Sequence, residues 1–211
     1  MFPVGFSGKP GAHHRKAAGQ LRRALEDRGY TVTWGSLTAP LSNEVNGIIS
    51  DFRRPRVRAQ GQDPLTRVSE RYRLPVQETA KLQVFALQDL GTQSTHGYAL
   101  DNPFVAEASS LLFKTRNQAD SGFYLRKMLL NVDHSSDFLL SPDVRSEHEA
   151  KWFSQRGIVL RFTAREEGGN ITLDDLDGYQ DFYGWFRQSQ FNADKFADEL
   201  IQLKEGALHV Q

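Results

Sequence analysis

Hydrophobic and polar positions form three successive patterns over the first 34 residues. Residues 2–6 are a short apolar run that ends at a turn signal rich in glycine, residues 7–11. Within residues 18–25, alanine and leucine recur three and four positions apart, which is the spacing of one helix face, and Gly29 follows as a helix stop. Residues 30–34 alternate like a strand. The order strand, glycine-rich loop, helix, strand predicts a parallel sheet with right-handed crossovers.

The same patterns continue in the second half of the chain. They predict helices at residues 76–90, 104–114, 122–132, 147–155 and 193–204, and strands at residues 138–141 and 158–162. The run at 138–141 is apolar without a break, which is typical of a parallel strand buried on both faces. Asp143 follows directly, so we expect a carboxylate at the C-terminal end of this strand. Residues 166–169, two glutamates and two glycines, predict a lid-like turn within residues 163–175.

Residues 51–75 differ in composition from the rest of the chain. They contain seven arginines and three acidic residues, and Pro55, Gly61 and Pro64 are expected to interrupt any regular element. One interpretation is a solvated, irregular connection. The other is a basic arm that embraces a phosphorylated substrate.

Composition excludes several classes of site. The 211 residues suit one α/β domain, and the 26 basic residues balance the 26 acidic ones, so the chain as a whole does not attract nucleic acid or membrane. The chain has no cysteine, which excludes disulfides, thiolate zinc sites and cysteine nucleophiles. No apolar run approaches the roughly 20 residues that a membrane helix needs. We therefore expect a cytoplasmic protein without a membrane partner.

The loop after the first strand is a candidate phosphate site. Gly5, Gly8 and Gly11 are spaced three residues apart, and glycines let successive backbone N–H groups point inward beside a helix N-terminus. The complete G-x-x-x-x-G-K-[ST] pattern occurs nowhere in the chain.

Residues 5–16, GFSGKPGAHHRK, resemble the loop of the deoxynucleoside monophosphate kinases and of the similar animal-type phosphomevalonate kinases. His13 stands where those families have their last loop glycine, His14 where they have lysine and Lys16 where they have threonine. The resemblance implies that ATP is held by Gly5, Ser7, Gly8, Lys9, Gly11, His13, His14, Arg15 and Lys16.

Further segments resemble the same kinases, in the same order along the chain. They are SLTAPL at 36–41, LQDLGT at 87–92, DNPF at 101–104, ADSGFYLRK at 119–127 and SPDVR at 141–145. His96 lies near the place of a family arginine. The resemblance implies that the substrate is bound by Ser36, Gln88, Thr92, His96, Asp101, Arg116, Arg126 and Arg145. It implies catalytic roles for Lys9, His14, Arg126, Asp143 and Arg145, and a Mg²⁺ site at Asp143.

The family resemblance implies a three-layer α/β fold of the P-loop NTPase, adenylate-kinase-like type, with a central parallel sheet and a short lid. It implies one domain over residues 1–211, in which 51–75 is the substrate side and 163–175 the lid. The implied activity moves the γ-phosphoryl group of ATP, with Mg²⁺, to a (deoxy)nucleoside monophosphate. Two alternatives stay open: a kinase of hydroxymethyl bases in DNA, and a catalytically dead pseudokinase that acts as a binding or assembly module. A homodimer and a bacteriophage origin are both compatible with the family.

The histidine at the position of the family lysine is expected to lower the rate of phosphoryl transfer. Losing one preorganised hydrogen-bond donor that stabilises the group being transferred reduces the rate of transfer roughly 10²–10³-fold. With an ordinary pKa near 6.5, about a quarter of His14 would be cationic at pH 7, and bound phosphate would raise that fraction. Two interpretations of these residues stay open. In one, a partly cationic His14 replaces the lysine, and Lys9, Arg15 or Lys16 can also turn toward the phosphates; in the other, residues 13–16 are an ordinary polar first turn of the helix.

Overall fold

The computed structural model of the chain describes residues 1–8, 13–53, 63–88, 103–163, 176 and 179–208. The strands in these ranges are β1 (Phe2–Gly8), β2 (Val32–Trp34), β3 (Phe138–Ser141), β4 (Ile158–Phe162) and β5 (Gly184–Phe186). The helices are α1 (His14–Glu26), α2 (Thr38–Arg53), α3 (Pro64–Tyr72), α4 (Val76–Gln88), α5 (Pro103–Ala119), α6 (Phe123–Leu129), α7 (Glu147–Arg156) and α8 (Ala193–Leu208).

Residue contacts divide the chain into two compact units. The sheet unit comprises Met1–Leu37 and Leu125–Gln211, and the helical unit comprises Thr38–Tyr124. The helical unit is therefore one continuous insertion between β2 and β3. The sequence analysis treated residues 1–211 as a single domain and did not anticipate this division.

The sheet unit is built on five parallel strands in the order β2-β3-β1-β4-β5. β1 lies at the centre, with Val4 opposite Leu140 of β3 and Ile158 of β4. Parallel neighbours require crossover connections, and described helices lie in the connections from β1 to β2, from β2 to β3 and from β3 to β4. The predicted α/β class with a parallel sheet is confirmed.

Helices cover both faces of the sheet. Val4 and Phe6 pack in one apolar cluster with residues of α1 and α8, among them Leu21 and Leu200. The neighbouring strand positions face the other way and pack in a second cluster, as Leu139 does with residues of α6 and α7. Burying each such large apolar side chain contributes about 1.5–3 kcal/mol. The sheet unit thus has three layers.

Two glycines allow the sheet and α7 to approach closely. A Cβ on Gly5, in the middle of β1, would lie 2.8 Å from Val144 Cγ2 and 3.1 Å from Phe153 Cγ. A Cβ on Gly157, which ends α7, would lie 1.9 Å from the carbonyl oxygen of Pro3. Any larger residue at 157 would push β4 away from β1, because the obstructing atom belongs to the backbone.

The helical unit has an apolar core of its own, to which α2, α3, α4, α5 and the start of α6 contribute. The prediction that residues 51–75 are irregular is wrong for Pro64–Tyr72, which form α3. Pro64 occupies the first turn of that helix, where a missing N–H costs nothing, and Asp63 Oδ2 accepts a hydrogen bond from Thr66 N at 3.2 Å. The pattern analysis also missed α2 and the short strand β5.

The strongest apolar patterns gave the best element boundaries. β3 and β4 begin and end at the predicted residues, and α7 and α8 extend the predictions by one and four residues. Residues 164–175 of the predicted lid, and residues 54–62 of the arginine-rich segment, lie outside the described residues. Of the described helices, none is long and apolar enough to span a membrane.

Candidate functional site

The candidate site lies at the edge of the sheet where β1, β3 and β4 end. β1 leads into α1, which packs on one face, whereas β3 leads into α7, which packs on the opposite face. In open parallel sheets, ligands bind outside the carboxyl ends of the strands where successive connections leave to opposite faces. The boundary between β1 and β3 is such a point.

His13 begins the helix that follows β1, with an unusual backbone conformation. Its φ of 52° and ψ of 27° are left-handed, and its carbonyl oxygen accepts hydrogen bonds from Lys16 N at 3.0 Å and Ala17 N at 3.2 Å. Glycine adopts this conformation readily, whereas a residue with a Cβ is strained by it. The resemblance to kinases places a glycine at this position, so the left-handed backbone is the one that such a glycine would favour.

His14 lies in the first turn of α1 with its ring mostly buried. Its Nδ1 is enclosed and has no hydrogen-bond partner among the described residues. The pKa of His14 is lowered to about 4, first by burial and then by the positive charges of Arg15, Arg145 and Arg161, whereas Asp143 acts in the opposite direction. His14 is therefore neutral at pH 7, and the expectation that a quarter of it is cationic is wrong for the ligand-free chain.

Asp143, just after β3, joins the ends of β2 and β3. One carboxylate oxygen accepts a hydrogen bond from Leu37 N at 2.8 Å, and the other accepts one from Ser36 Oγ at 2.9 Å. Arg15 Nη2 lies 3.7 Å from the same carboxylate, whose side chain is fully buried, whereas the Arg15 side chain is 49% exposed. Asp143 thus positions Ser36 and draws Arg15 toward the site.

Arg145 is held by the turn that precedes α7. Its backbone N–H and that of Ser146 both donate to Glu149 Oε2 at 2.9 Å, and Ser146 Oγ accepts from Glu149 N at 3.3 Å. This reciprocal cap closes the N-terminus of α7. Burial raises the pKa of Glu149 to about 7. The cap fixes the backbone of Arg145 beside Asp143.

Arg161, in β4, is the site residue that the sequence analysis missed. It is only 4% exposed, and its Nη1 donates to Ser7 Oγ at 2.6 Å. Its guanidinium also lies 5.6 Å from the ring centre of Phe182. Arginine is rarely fully buried unless its charge is paired. In the sequence, the indication that Arg161 is buried is its position inside the apolar run of residues 158–162.

Among the described residues, the charges that act on the ring of His14 are mostly positive. Three guanidinium groups, of Arg15, Arg145 and Arg161, act on the ring of His14, and one carboxylate, of Asp143, acts against them. The N-terminus of α1 adds the positive end of its dipole. This arrangement favours an anion that carries several charges, such as a polyphosphate.

No family model matches the chain, and no curated protein matches it. The function of this edge must therefore be argued from its own geometry.

Several of the residues predicted for the site lie at this edge. Eight of them lie at or just after the ends of β1, β2 and β3: Ser7, Gly8, His13, His14, Arg15, Ser36, Asp143 and Arg145. Gly5 lies inside β1, where it makes room for α7, and Lys16 is exposed on α1. Arg126 is exposed on α6. Predicted residues outside the described ranges are Lys9, Gly11, Thr92, His96 and Asp101. Gln88 is the last residue of α4.

Arg116 belongs to the core of the helical unit. Its Nε donates to Glu44 Oε1 at 3.1 Å, its Nη2 also bonds to Glu44 Oε1 and to the carbonyl oxygen of Tyr72, and Tyr124 Oη donates to Glu44 Oε2 at 3.2 Å. Both charged side chains are largely buried, and their pairing joins α2, α3, α5 and α6. This geometry suits a structural ion pair better than a substrate clamp.

The described residues do not form a metal site of their own. No group of three or more histidine or acidic side chains converges within the described ranges. The Asp143 carboxylate is fully buried and already accepts hydrogen bonds from Ser36 and Leu37, so direct coordination of Mg²⁺ by Asp143 does not fit this arrangement. In kinase and ATPase sites in general, Mg²⁺ is held by one or two carboxylates together with substrate phosphates and water.

Proposed function

We propose that this protein binds ATP at the ends of β1, β3 and β4 and transfers its γ-phosphoryl group to a (deoxy)nucleoside monophosphate. The observation that carries the proposal is that three arginines, Arg15, Arg145 and Arg161, act on the ring of His14 at the N-terminus of α1, beside the buried carboxylate of Asp143. Guanidinium groups bind phosphate oxygens through charge-assisted hydrogen bonds, and a nucleoside triphosphate offers several such oxygens.

The fold supports the proposal. A central strand that leads through a glycine-bearing loop into a helix, within a parallel sheet covered on both faces, is compatible with a P-loop NTPase fold. The left-handed backbone of His13 agrees with the kinase resemblance, which places a glycine there. The resemblance of residues 141–145 to the D-x-R segment of the kinases puts Asp143 and Arg145 at the same edge.

The proposed chemistry needs positioning more than acid–base groups. An oxygen of the acceptor monophosphate attacks the γ-phosphorus, and the bond from that phosphorus to the β,γ-bridging oxygen breaks, so that ADP leaves with the electron pair. Arg15 and Arg145 would hold phosphate oxygens, and Asp143 would keep Ser36 and Arg15 in place. Mg²⁺ would arrive on the nucleotide and offset phosphate charge.

The test is a paired binding and transfer measurement. Calorimetry with ATP and Mg²⁺ reports binding, and chromatography of mixtures with each common monophosphate reports diphosphate formation. Arg145→Met should reduce transfer roughly 10²–10³-fold. Arg156→Met is the matched control, because Arg156 is an exposed arginine at the other end of α7. If no monophosphate ever yields a diphosphate, the proposed transfer is wrong.

One observation favours a second candidate, a pseudokinase that binds nucleotide without transferring phosphate. His14, which occupies the place of the lysine, is neutral at pH 7. Binding of ATP with no product from any acceptor would select this candidate. The DNA-kinase alternative receives less support, because Arg71 in the arginine-rich segment is paired with Asp51 at 2.8 Å within the helical unit.

A further inference from the structure

A groove between α1 and β2 has no part in the proposed transfer. It has a volume of about 410 Å³, and its walls are Gly19, Arg22, Arg23, Glu26 and Trp34. β2 is an edge strand of the sheet, and all five residues belong to the sheet unit. The volume falls within the range of roughly 300–1,000 Å³ that small-molecule sites occupy.

Gly19 is the residue of this groove that the packing of the fold does not explain. It lies in the middle of α1, where glycine is less favourable than any residue except proline. A Cβ at this position would meet nothing within 4 Å among the described residues, so no close neighbour requires glycine here. Glycine also lets a ligand approach the backbone closely. The missing side chain leaves room in the groove for such an approach.

Trp34 supplies a planar aromatic wall. It is the last residue of β2, it is half-buried, and it packs against the apolar cluster to which Leu21 of α1 belongs. Packing therefore holds the indole in place while part of it stays accessible in the groove. Nucleobases stack on aromatic side chains presented in this way, whatever their sequence, because every base has a π-face.

The charges of the groove favour an anion. Arg22 Nε donates to Glu26 Oε1 at 2.7 Å, so these two charges offset each other. Arg23 is exposed, and no ion pair or side-chain hydrogen bond joins it to a partner among the described residues. A guanidinium group forms charge-assisted hydrogen bonds with phosphate oxygens. The groove thus combines an aromatic wall with a cation that can hold a phosphate group.

We propose that this groove binds a free nucleotide, with its base against Trp34 and its phosphate on Arg23. Gly19 lets the ligand lie close to the backbone of α1. The site is independent of the proposed transfer, because none of its residues lies at the edge where β1, β3 and β4 end. A polynucleotide fits less well, since affinity for a strand grows with the number of phosphates contacted and the groove offers few such contacts.

The experiment follows the indole N–H signals by NMR while thymidine monophosphate is added to the full chain. The signal of Trp34 is assigned by its loss in Trp34→Phe. We expect this signal to shift until the site is saturated, and that of Trp152 on α7 to stay in place. Thymidine alone and inorganic phosphate alone should shift the Trp34 signal much less at the same concentration, because each lacks one half of the recognised ligand.

Two variants separate the groove from the stability of the fold. Gly19→Leu fills the groove with a better helix former, so the chain should unfold at a higher urea concentration and yet lose the shift of Trp34. Gly206→Leu is the matched control and should keep the shift, because Gly206 is an exposed glycine near the end of α8 whose Cβ would also meet nothing within 4 Å among the described residues.

Arg23→Met tests the phosphate contact. It should weaken binding of thymidine monophosphate to the groove about 10- to 100-fold, the range for a hydrogen bond to a charged group. Arg156→Met, at an exposed arginine of α7, should bind as the parent does.

Each remaining outcome contradicts the proposal. The proposal is wrong if the Trp34 signal does not move at millimolar thymidine monophosphate, or if Gly19→Leu keeps the shift of the parent. An equal shift with inorganic phosphate would mean that the groove holds anions without recognising a base. Much tighter binding of a short oligodeoxythymidine would mean a polynucleotide surface. Diphosphate formation is measured separately, so failure of the proposed transfer leaves this inference unaffected.

Discussion

Replacing His13 with glycine should stabilise the chain, against the usual effect of glycine. His13 holds φ at 52° and ψ at 27°, its side chain is exposed, and that side chain makes no capping hydrogen bond within the described residues. A left-handed residue with a Cβ is destabilised by roughly 1–2 kcal/mol. Glycine removes this strain and loses about 0.5–1 kcal/mol to its more flexible unfolded state. The net gain should be about 0.5–1 kcal/mol.

Urea unfolding followed by circular dichroism measures this difference as a shift of the transition midpoint at constant slope. Gln20→Gly, at an exposed position inside α1, is the matched control and should lose about 1 kcal/mol. His13→Ala should gain nothing, since alanine retains the Cβ. Arg73 has φ of 51° at the end of α3, so Arg73→Gly should repeat the gain in the helical unit. If His13→Gly loses as much stability as Gln20→Gly, the strain argument is refuted.

Three further predictions concern charged groups. The ring of His14 should titrate near pH 4 when followed by NMR. Its pKa should rise when tripolyphosphate binds, because the anion offsets the positive charges of the arginines, and an unchanged pKa would contradict binding of the anion beside His14. Arg116→Met should lower the free energy of unfolding in urea by about 3–5 kcal/mol, because it leaves the Glu44 carboxylate buried without its partner, and adding Glu44→Gln should restore part of that loss. Unaltered stability of Arg116→Met would instead support a role of Arg116 in substrate binding. Folded Glu149 keeps its proton up to about pH 7, so stability should fall as pH rises from about 4.5 to 7, and Glu149→Gln should abolish that fall.

Continuous apolar runs were sufficient to predict the centre of the sheet. β3 and β4 are buried on both faces, so their residues form nearly continuous apolar runs in the sequence. The ends of these runs therefore predicted the ends of the two strands. Pro64 is an exception to the prediction that proline interrupts a regular element. In α3 it stands at the first position, where its fixed φ favours a helix and Asp63 supplies the cap.

The candidate site was partly predictable for a topological reason. Asp143 follows β3 and Ser36 follows β2, and the carboxyl ends of parallel strands meet at one edge, so the two side chains meet there too. The sequence does not distinguish a buried Arg161 from a solvent-exposed arginine, because the burial depends on contacts with β1 and Phe182, which are distant in sequence. The lowered pKa of His14 depends first on burial and then on Arg15, Arg145 and Arg161, and the sequence shows neither the burial nor the approach of Arg145 and Arg161.

The insertion of the helical unit between β2 and β3 has a consequence for the order of folding. β2 and β3 pair at Trp34 and Leu140, so more than a hundred residues must be closed into a loop before that pairing forms. Thr38–Tyr124 have an apolar core of their own and can condense first. Leu37 and Leu125, which flank them, pack in the same cluster of the sheet unit, so the condensed insertion behaves kinetically as a short connection. Destabilising the helical unit should therefore slow formation of the sheet, although the sheet's own contacts are unchanged.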